Sequence, residues 1–264
     1  MKNLKFGMKG KAVAELQRAL IQQGYQIEKT ADFDEATETA LTQFQRDKNL
    51  LADGIFGKDS YTVLFDKKPD DVPASKFLKE SDVVQAAKLL GVEPAAVKAI
   101  IHVESAGRGY LKDGRVIILF ERHKFYNLLP QSLAHETAAQ HPNICNPKSG
   151  GYYGKASEYL RFNLAFSIDQ ECAMKATSWG LFQIMGFNHA AAGYATVGEF
   201  VDAMKESEGK QLLAFANFIK AHKTMHLALQ KQDWTTFAKL YNGPAYKKNN
   251  YDSKLANAYA RYQH

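Results

Sequence analysis

Residues 92–107 read VEPAAVKAIIHVESAG. Pro94 suits the first turn of a helix, where its missing N–H costs nothing. From there Val97, Ile100, Ile101 and Glu104 recur at i, i+3, i+4 and i+7, one face of a helix that Gly107 ends. Three aliphatic residues mark that face as buried, so Glu104 stands on the last turn of an apolar stripe. A carboxylate there is costly unless it has a partner or a task. Burial disfavours its charged form and raises its pKa. A glutamic acid that keeps its proton near neutral pH is able to give it to a glycosidic oxygen. The competing reading is a glutamate at a helix end that points into water. Spacing alone does not separate the two.

Two later segments bear on the choice. Residues 178–186 read SWGLFQIMG, and Tyr241-Asn242-Gly243-Pro244 follows near the end of the chain. Glu104-Ser105 after an apolar helix resembles the catalytic Glu-Ser of goose-type lysozymes and lytic transglycosylases. Gly180-Leu181-Phe182-Gln183-Ile184 resembles the segment those enzymes place beside the acid. Tyr241-Asn242 resembles their late element lining the sugar cleft. More closely, the runs 114–125 (GRVIILFERHKF) and 178–194 resemble the N-acetylmuramidase domain of modular endolysins from phages of Gram-negative hosts. The likeness extends over about residues 83–262. It implies cleavage between N-acetylmuramic acid and N-acetylglucosamine, with Glu104 as the essential acid.

Hydrolysis also needs a group that stabilises an oxocarbenium-like transition state or activates water. Glu121 is the first candidate: it follows the apolar run 116–120, which reads as a buried strand of a hairpin turning at Lys112-Asp113-Gly114. A salt bridge to Arg115 or Arg122 is the alternative use for it. Asp169 and Glu171 are weaker candidates, and the N-acetyl group of the substrate is another. For substrate binding the candidates are Ser105, Gln183, whose amide bonds a hydroxyl or another amide, Tyr241, whose ring offers a stacking face, and Asn242. His102, His123, His135, His141 and His189 fit no zinc spacing. No metal or other cofactor is implied. The aromatic and Met-containing residues 182–187 read as core.

The first 65 residues form a repeat. Val13, Leu16, Leu20 and Ile21 define one helix stopped by Gly24; Ala36, Ala40, Leu41 and Phe44 define a second; Asp53-Gly54-Ile55-Phe56-Gly57 is a turn into a short third helix, residues 58–65. Together these residues resemble the three-helix peptidoglycan-binding module found beside cell-wall hydrolases. One departure stands out. Where the first turn of that module usually reads Asp-Gly-x-Phe-Gly, this chain has Ala31-Asp32-Phe33-Asp34. The lost glycines bear on the geometry of the loop.

The expected organisation is therefore a module at 1–66, a linker at 67–80 broken by two prolines, and a catalytic domain at 81–264 opening with a helix from Ser81 to Gly91. The fold class is mainly α: the three-helix module plus a lysozyme-like domain of roughly eight helices with a small β-hairpin near 107–120. The 264 residues carry a formal net charge of +6, and all of that excess lies beyond residue 70. A basic surface favours polyanions, cell wall among them, but no Lys/Arg cluster has the density that nucleic-acid binding needs. No apolar run is long enough to span a bilayer, and no signal-like segment opens the chain. Cys145 and Cys172 are too few for a disulfide framework. The resemblance then implies an enzyme that waits in the host cytoplasm until a membrane pore admits it to the periplasm. Bacterial peptidoglycan, of Gram-negative type, is its partner and a monomer its expected state. Two alternatives stay open: a lytic transglycosylase that leaves 1,6-anhydro ends at the same bond, and a non-catalytic wall-binding protein.

Overall fold

A computed structural model describes residues 3–65, 74–105 and 107–263. The first module consists of α1 (Lys11–Gln22), α2 (Glu35–Asp47) and α3 (Lys58–Phe65). Their apolar faces close on Leu16, Leu20, Phe33, Leu41, Phe44 and Phe56. A buried glutamine on each of the first two helices holds the turn that follows it. Gln17 Oε1 accepts from the Ala31 N–H at 2.8 Å while its Nε2 donates to the Asp32 carbonyl at 2.8 Å. Gln45 repeats the pattern one unit later, accepting from the Gly54 N–H at 2.9 Å and donating to the Ile55 carbonyl at 3.0 Å. This register equates Ala31 with Gly54, and the backbone agrees: φ is +61° at Ala31 and +67° at Gly54. The degenerate first turn thus keeps the geometry its missing glycine would have supplied, with an alanine in the left-handed region.

The second domain begins before residue 81. Residues 66–73, which include the first half of the expected linker, lie outside the described residues. The remainder of that linker is not free chain: Phe77 and Leu78 are buried in the second core, and the Leu78 N–H donates to Glu208 Oε2 at 3.0 Å. Helix α4 (Glu80–Leu90) is capped by Asp82, which accepts from the Lys79 N–H at 2.9 Å, so Ser81 lies inside the helix and not at its cap. After Gly91 comes α5 (Pro94–Glu104), every residue of which from Ala95 to Ile101 is buried. The chain continues through β1 (Ile118–Phe120), α6 (Arg122–Leu128), α7 (Gln131–Gln140), α8 (Glu158–Ile168), α9 (Gln170–Lys175), β2 (Thr177–Trp179) and β3 (Ile184–Met185). It ends with α10 (Val197–Glu206), α11 (Glu208–Ala221), α12 (Lys223–Gln230), α13 (Trp234–Asn242) and α14 (Tyr251–Tyr262). Among the described residues this domain therefore has eleven α-helices, more than the eight expected. Helix α14 lies along α5, and α11 along α4.

The sheet also differs in detail from the expected hairpin. The turn at 112–114 is present, closed by the Leu111 N–H to the Arg115 carbonyl at 2.7 Å, but its arms meet in a single bridge, Tyr110 to Val116. The strand partner of β1 is β2, with Ile118 opposite Trp179 and Phe120 opposite Thr177, and β3 completes an antiparallel sheet. A fully buried ion pair, Arg161 to Glu158 at 2.8 Å, locks the end of β1 to the loop between α7 and α8. Glu158 accepts from the N–H groups of Tyr153 and Gly154, and Arg161 donates to the carbonyls of Phe120 and Asn143.

Alanine in the left-handed region costs about 1–2 kcal/mol, of which the greater chain entropy of unfolded glycine takes back a part. Ala31→Gly is expected to stabilise the protein by about 0.5–1 kcal/mol, measured as a shift in the urea unfolding midpoint at constant slope.

Candidate active site

Glu104 closes α5, one turn beyond the buried Ile100 and Ile101, and is itself half-buried. The helix cannot turn it outward without exposing the aliphatic stripe, so the acid lies at the boundary of the core. Asn242, the last residue of α13, donates from Nδ2 to Glu104 Oε1 at 2.8 Å across 138 positions of sequence. Burial raises the Glu104 pKa; the Asn242 hydrogen bond and the positive charge of Lys254 on α14 oppose that rise without cancelling it. The carboxyl therefore holds its proton to a higher pH than a free glutamate does, with a donor placed to receive the charge when it leaves.

Of the other expected site residues, some converge on Glu104 and some do not. Tyr241 neighbours it: Glu104's charge is one cause, after burial, of the raised tyrosine pKa. Its hydroxyl donates to the Phe182 carbonyl at 3.1 Å and its ring meets Phe215 edge-on, with centroids 5.2 Å apart. Those are the contacts of a packing residue that ties α13 to the segment before β3. Gln183 has the same character. With φ at +50°, it donates to the carbonyls of Gly180 (2.7 Å) and Ile117 (3.3 Å) and accepts from the Ser178 hydroxyl at 2.8 Å. Both amide hydrogens are thus engaged in pinning the β2–β3 turn to the chain before β1. Ser105 caps α5 in extended conformation and lines a cavity of about 730 Å³ together with Gly107 and Arg108.

Glu121 sits at the N-terminus of α6. Its carboxylate accepts from the Tyr152 hydroxyl at 2.9 and 3.1 Å and lies 3.2 Å from His123 Nδ1. Neither arginine weighed as its partner reaches it in this arrangement: Arg115 is paired with Asp113, and Arg122 donates to the carbonyls of Pro142, Lys148 and Ser149. The weaker candidates have structural uses, Asp169 capping α9 and Glu171 pairing with Lys175.

The sequence reading missed the buried polar groups that hold the surrounding loops. Glu208 accepts from the N–H groups of Gly109 (2.7 Å) and Leu78 (3.0 Å), and burial, reinforced by the charge of Asp59, raises its pKa to about 7. Gln211 accepts from the Leu181 N–H at 2.7 Å, and any side chain at Gly180 would collide with it. The Glu158 and Arg161 pair was legible as an i, i+3 spacing; nothing in sequence marked Glu208 or Gln211.

Residues 93–263 match the family model described as N-acetylmuramidase. The chain belongs to the N-acetylmuramidase family. Residues 9–64 match a peptidoglycan binding domain. Among solved structures, the crystal structure of the Burkholderia AP3 phage endolysin is 45% identical, with 99% of each chain covered and a TM-score of 0.94. No curated protein sequence matches. The muramidase domain is thus a peptidoglycan-hydrolysing glycosidase of the endolysin type, and Glu104, the sheet and the Tyr241-Asn242 element all lie within its matched residues. No helix among the described residues is long and apolar enough to cross a membrane.

Removing the donor that favours the charged form of Glu104 leaves burial less opposed. Asn242→Ala is expected to move the Glu104 titration to higher pH, followed by carbon NMR of glutamate-labelled protein. An unmoved or lowered titration would contradict the contact.

Proposed function

We propose that the muramidase domain cleaves the bond between N-acetylmuramic acid and N-acetylglucosamine, with Glu104 as general acid. The observation that carries this is the half-buried carboxyl at the end of α5, raised in pKa and hydrogen-bonded by Asn242. The protonated acid gives its proton to the glycosidic oxygen as the bond to the anomeric carbon breaks. Negative charge then develops on Glu104, where the Asn242 amide and Lys254 favour it. Water adds at the anomeric carbon, and its proton returns to the carboxylate. Glu121, oriented by Tyr152 and His123, is the second carboxyl, acting on the oxocarbenium-like state or on the water. Ser105, Gln183, Tyr241 and Asn242 form the binding surface around the acid, with Gln183 and Tyr241 shaping it through their backbone contacts. The wall acted on is of Gram-negative type, reached as a monomer from the host cytoplasm through a membrane pore.

Glu104→Gln is expected to lower lysis of chloroform-treated Gram-negative cells by about 10²–10⁴-fold. Undiminished lysis would sink the mechanism. The same substitution removes a carboxyl whose charged form is disfavoured by folding, so it raises the melting temperature at pH 7. The gain disappears below about pH 4, where the acid is protonated in both states. Wild-type activity declines as pH rises through the raised pKa of Glu104. Glu121→Gln lowers kcat with KM little changed, read on a soluble glycan oligosaccharide. Mass spectrometry of digested wall separates the outcomes at the bond: reducing ends are expected, and 1,6-anhydro ends would assign a transglycosylase instead.

A further inference from the structure

Several contacts between the two modules meet at one short turn, residues 51–54. Ala52 is 2% exposed, and both its backbone groups are bonded by the muramidase domain. Its N–H donates to Glu80 Oε2 at 3.3 Å, and its carbonyl accepts from Lys98 Nζ at 3.1 Å. Lys98 and Glu80 are themselves paired at 2.8 Å, with the lysine side chain only 10% exposed. On either side of Ala52, Leu51 packs against the muramidase core, and the Asp53 carbonyl accepts from the Tyr262 hydroxyl at 3.3 Å. Arg261 pairs with Glu38 on α2.

Two of these contacts bear on α5. A lysine buried on a helix is costly unless its charge is met. Lys98 is met half by its own domain, through Glu80, and half by a carbonyl of the other module. One turn later on the same face stands His102, whose Nδ1 lies 3.1 Å from the same Tyr262 hydroxyl that bonds Asp53. Glu104 follows two residues on. A tethered anchor would have no need to satisfy the charge of a residue on the acid-bearing helix. The AP3 phage endolysin superposes over 99% of both chains with a TM-score of 0.94, which requires the same placement of the two modules.

We propose that the 51–54 turn of the peptidoglycan-binding module is a positioning element of the active site. Docked through Lys98 and Tyr262, it sets where α5 holds Glu104, in addition to whatever anchoring the module provides. This rests on the reading of Glu104 as the acid. Lys98 and Tyr262 are positioning residues: they act through the helix and touch no substrate.

The test uses the full chain and a soluble oligosaccharide of alternating N-acetylglucosamine and N-acetylmuramic acid, whose cleavage needs no anchoring to the wall. Amide hydrogen exchange at Ala52 and Asp53 reports docking in the same samples. Lys98→Met keeps the aliphatic stem and removes the charge; it is expected to speed exchange in the turn and lower kcat by about 3–10-fold, with KM within about twofold. Tyr262→Phe keeps the ring packing, loses only the hydroxyl, and is expected to show a smaller effect of the same kind; it decides the matter if Lys98→Met does not fold. Faster exchange with wild-type kcat overturns the proposal, as does unchanged exchange in Lys98→Met, and so does a loss confined to KM. Failure of the wild type to cut the oligosaccharide, or cutting by Glu104→Gln, would instead overturn the muramidase reading. The exchange measurement would still decide the docking.

Discussion

A carboxyl held at the edge of the core by α5 is the constraint around which the muramidase domain is arranged. Residues Ala95 to Ile101 are buried on every side of that helix, so its axial rotation is set by packing and Glu104 has one place to go. Packing at this density transmits displacement, since interiors have few voids to absorb it. What touches α5 therefore bears on the acid, including α14 along its length, α4 beside it, Asn242 at its end, and the turn of the other module at Lys98.

The loops of the muramidase domain are irregular, yet several of their backbone N–H groups are bonded by buried side chains. Glu208 gathers Leu78 and Gly109, Gln211 gathers Leu181, and Glu158 gathers Tyr153 and Gly154. Loop backbone buried without such partners costs several kcal/mol per group. The same device appears in the small module, where Gln17 and Gln45 each hold a turn. A polar side chain in the core, bonded to backbone at several points, fixes a loop more tightly than apolar contact does, because hydrogen bonds are directional and hydrophobic burial is not.

Periodicity made α5 legible, together with its buried face and the position of Glu104 upon it. The helices of the small module were legible for the same reason, the turn at 53–57 from its Asp-Gly pair, and the strand before Glu121 from its apolar run. Local rules also reached the helix end at Gly91, but not that of α5, which ends at Glu104 with Ser105 as its extended cap, before Gly107 is reached. They misplaced the start of α4, because Asp82 capping from within the first turn is as good as a serine at its head. They also gave the strand at 118–120 the wrong partner, because a strand carries no label for what pairs with it. The motif residues Gln183 and Tyr241 were found by resemblance, but their use was not. Both turn their polar atoms to nearby carbonyls, a choice made by neighbours 66 and 59 positions away in the chain.

By itself, the sequence determined which faces must be buried, and hence that an acid would stand at the end of an apolar helix. It also marked two repeat turns, but that they share one geometry where alanine replaces glycine came from the structure. What only the tertiary structure decided is the company that acid keeps. Asn242 reaches it from 138 residues away, and Lys98 on its helix is answered by a carbonyl of the other module. The physical reason is range. Helical periodicity and capping act within a few residues and leave their mark in order. The desolvation of Glu104, and the partners that moderate it, depend on what folding brings alongside, which no local pattern records.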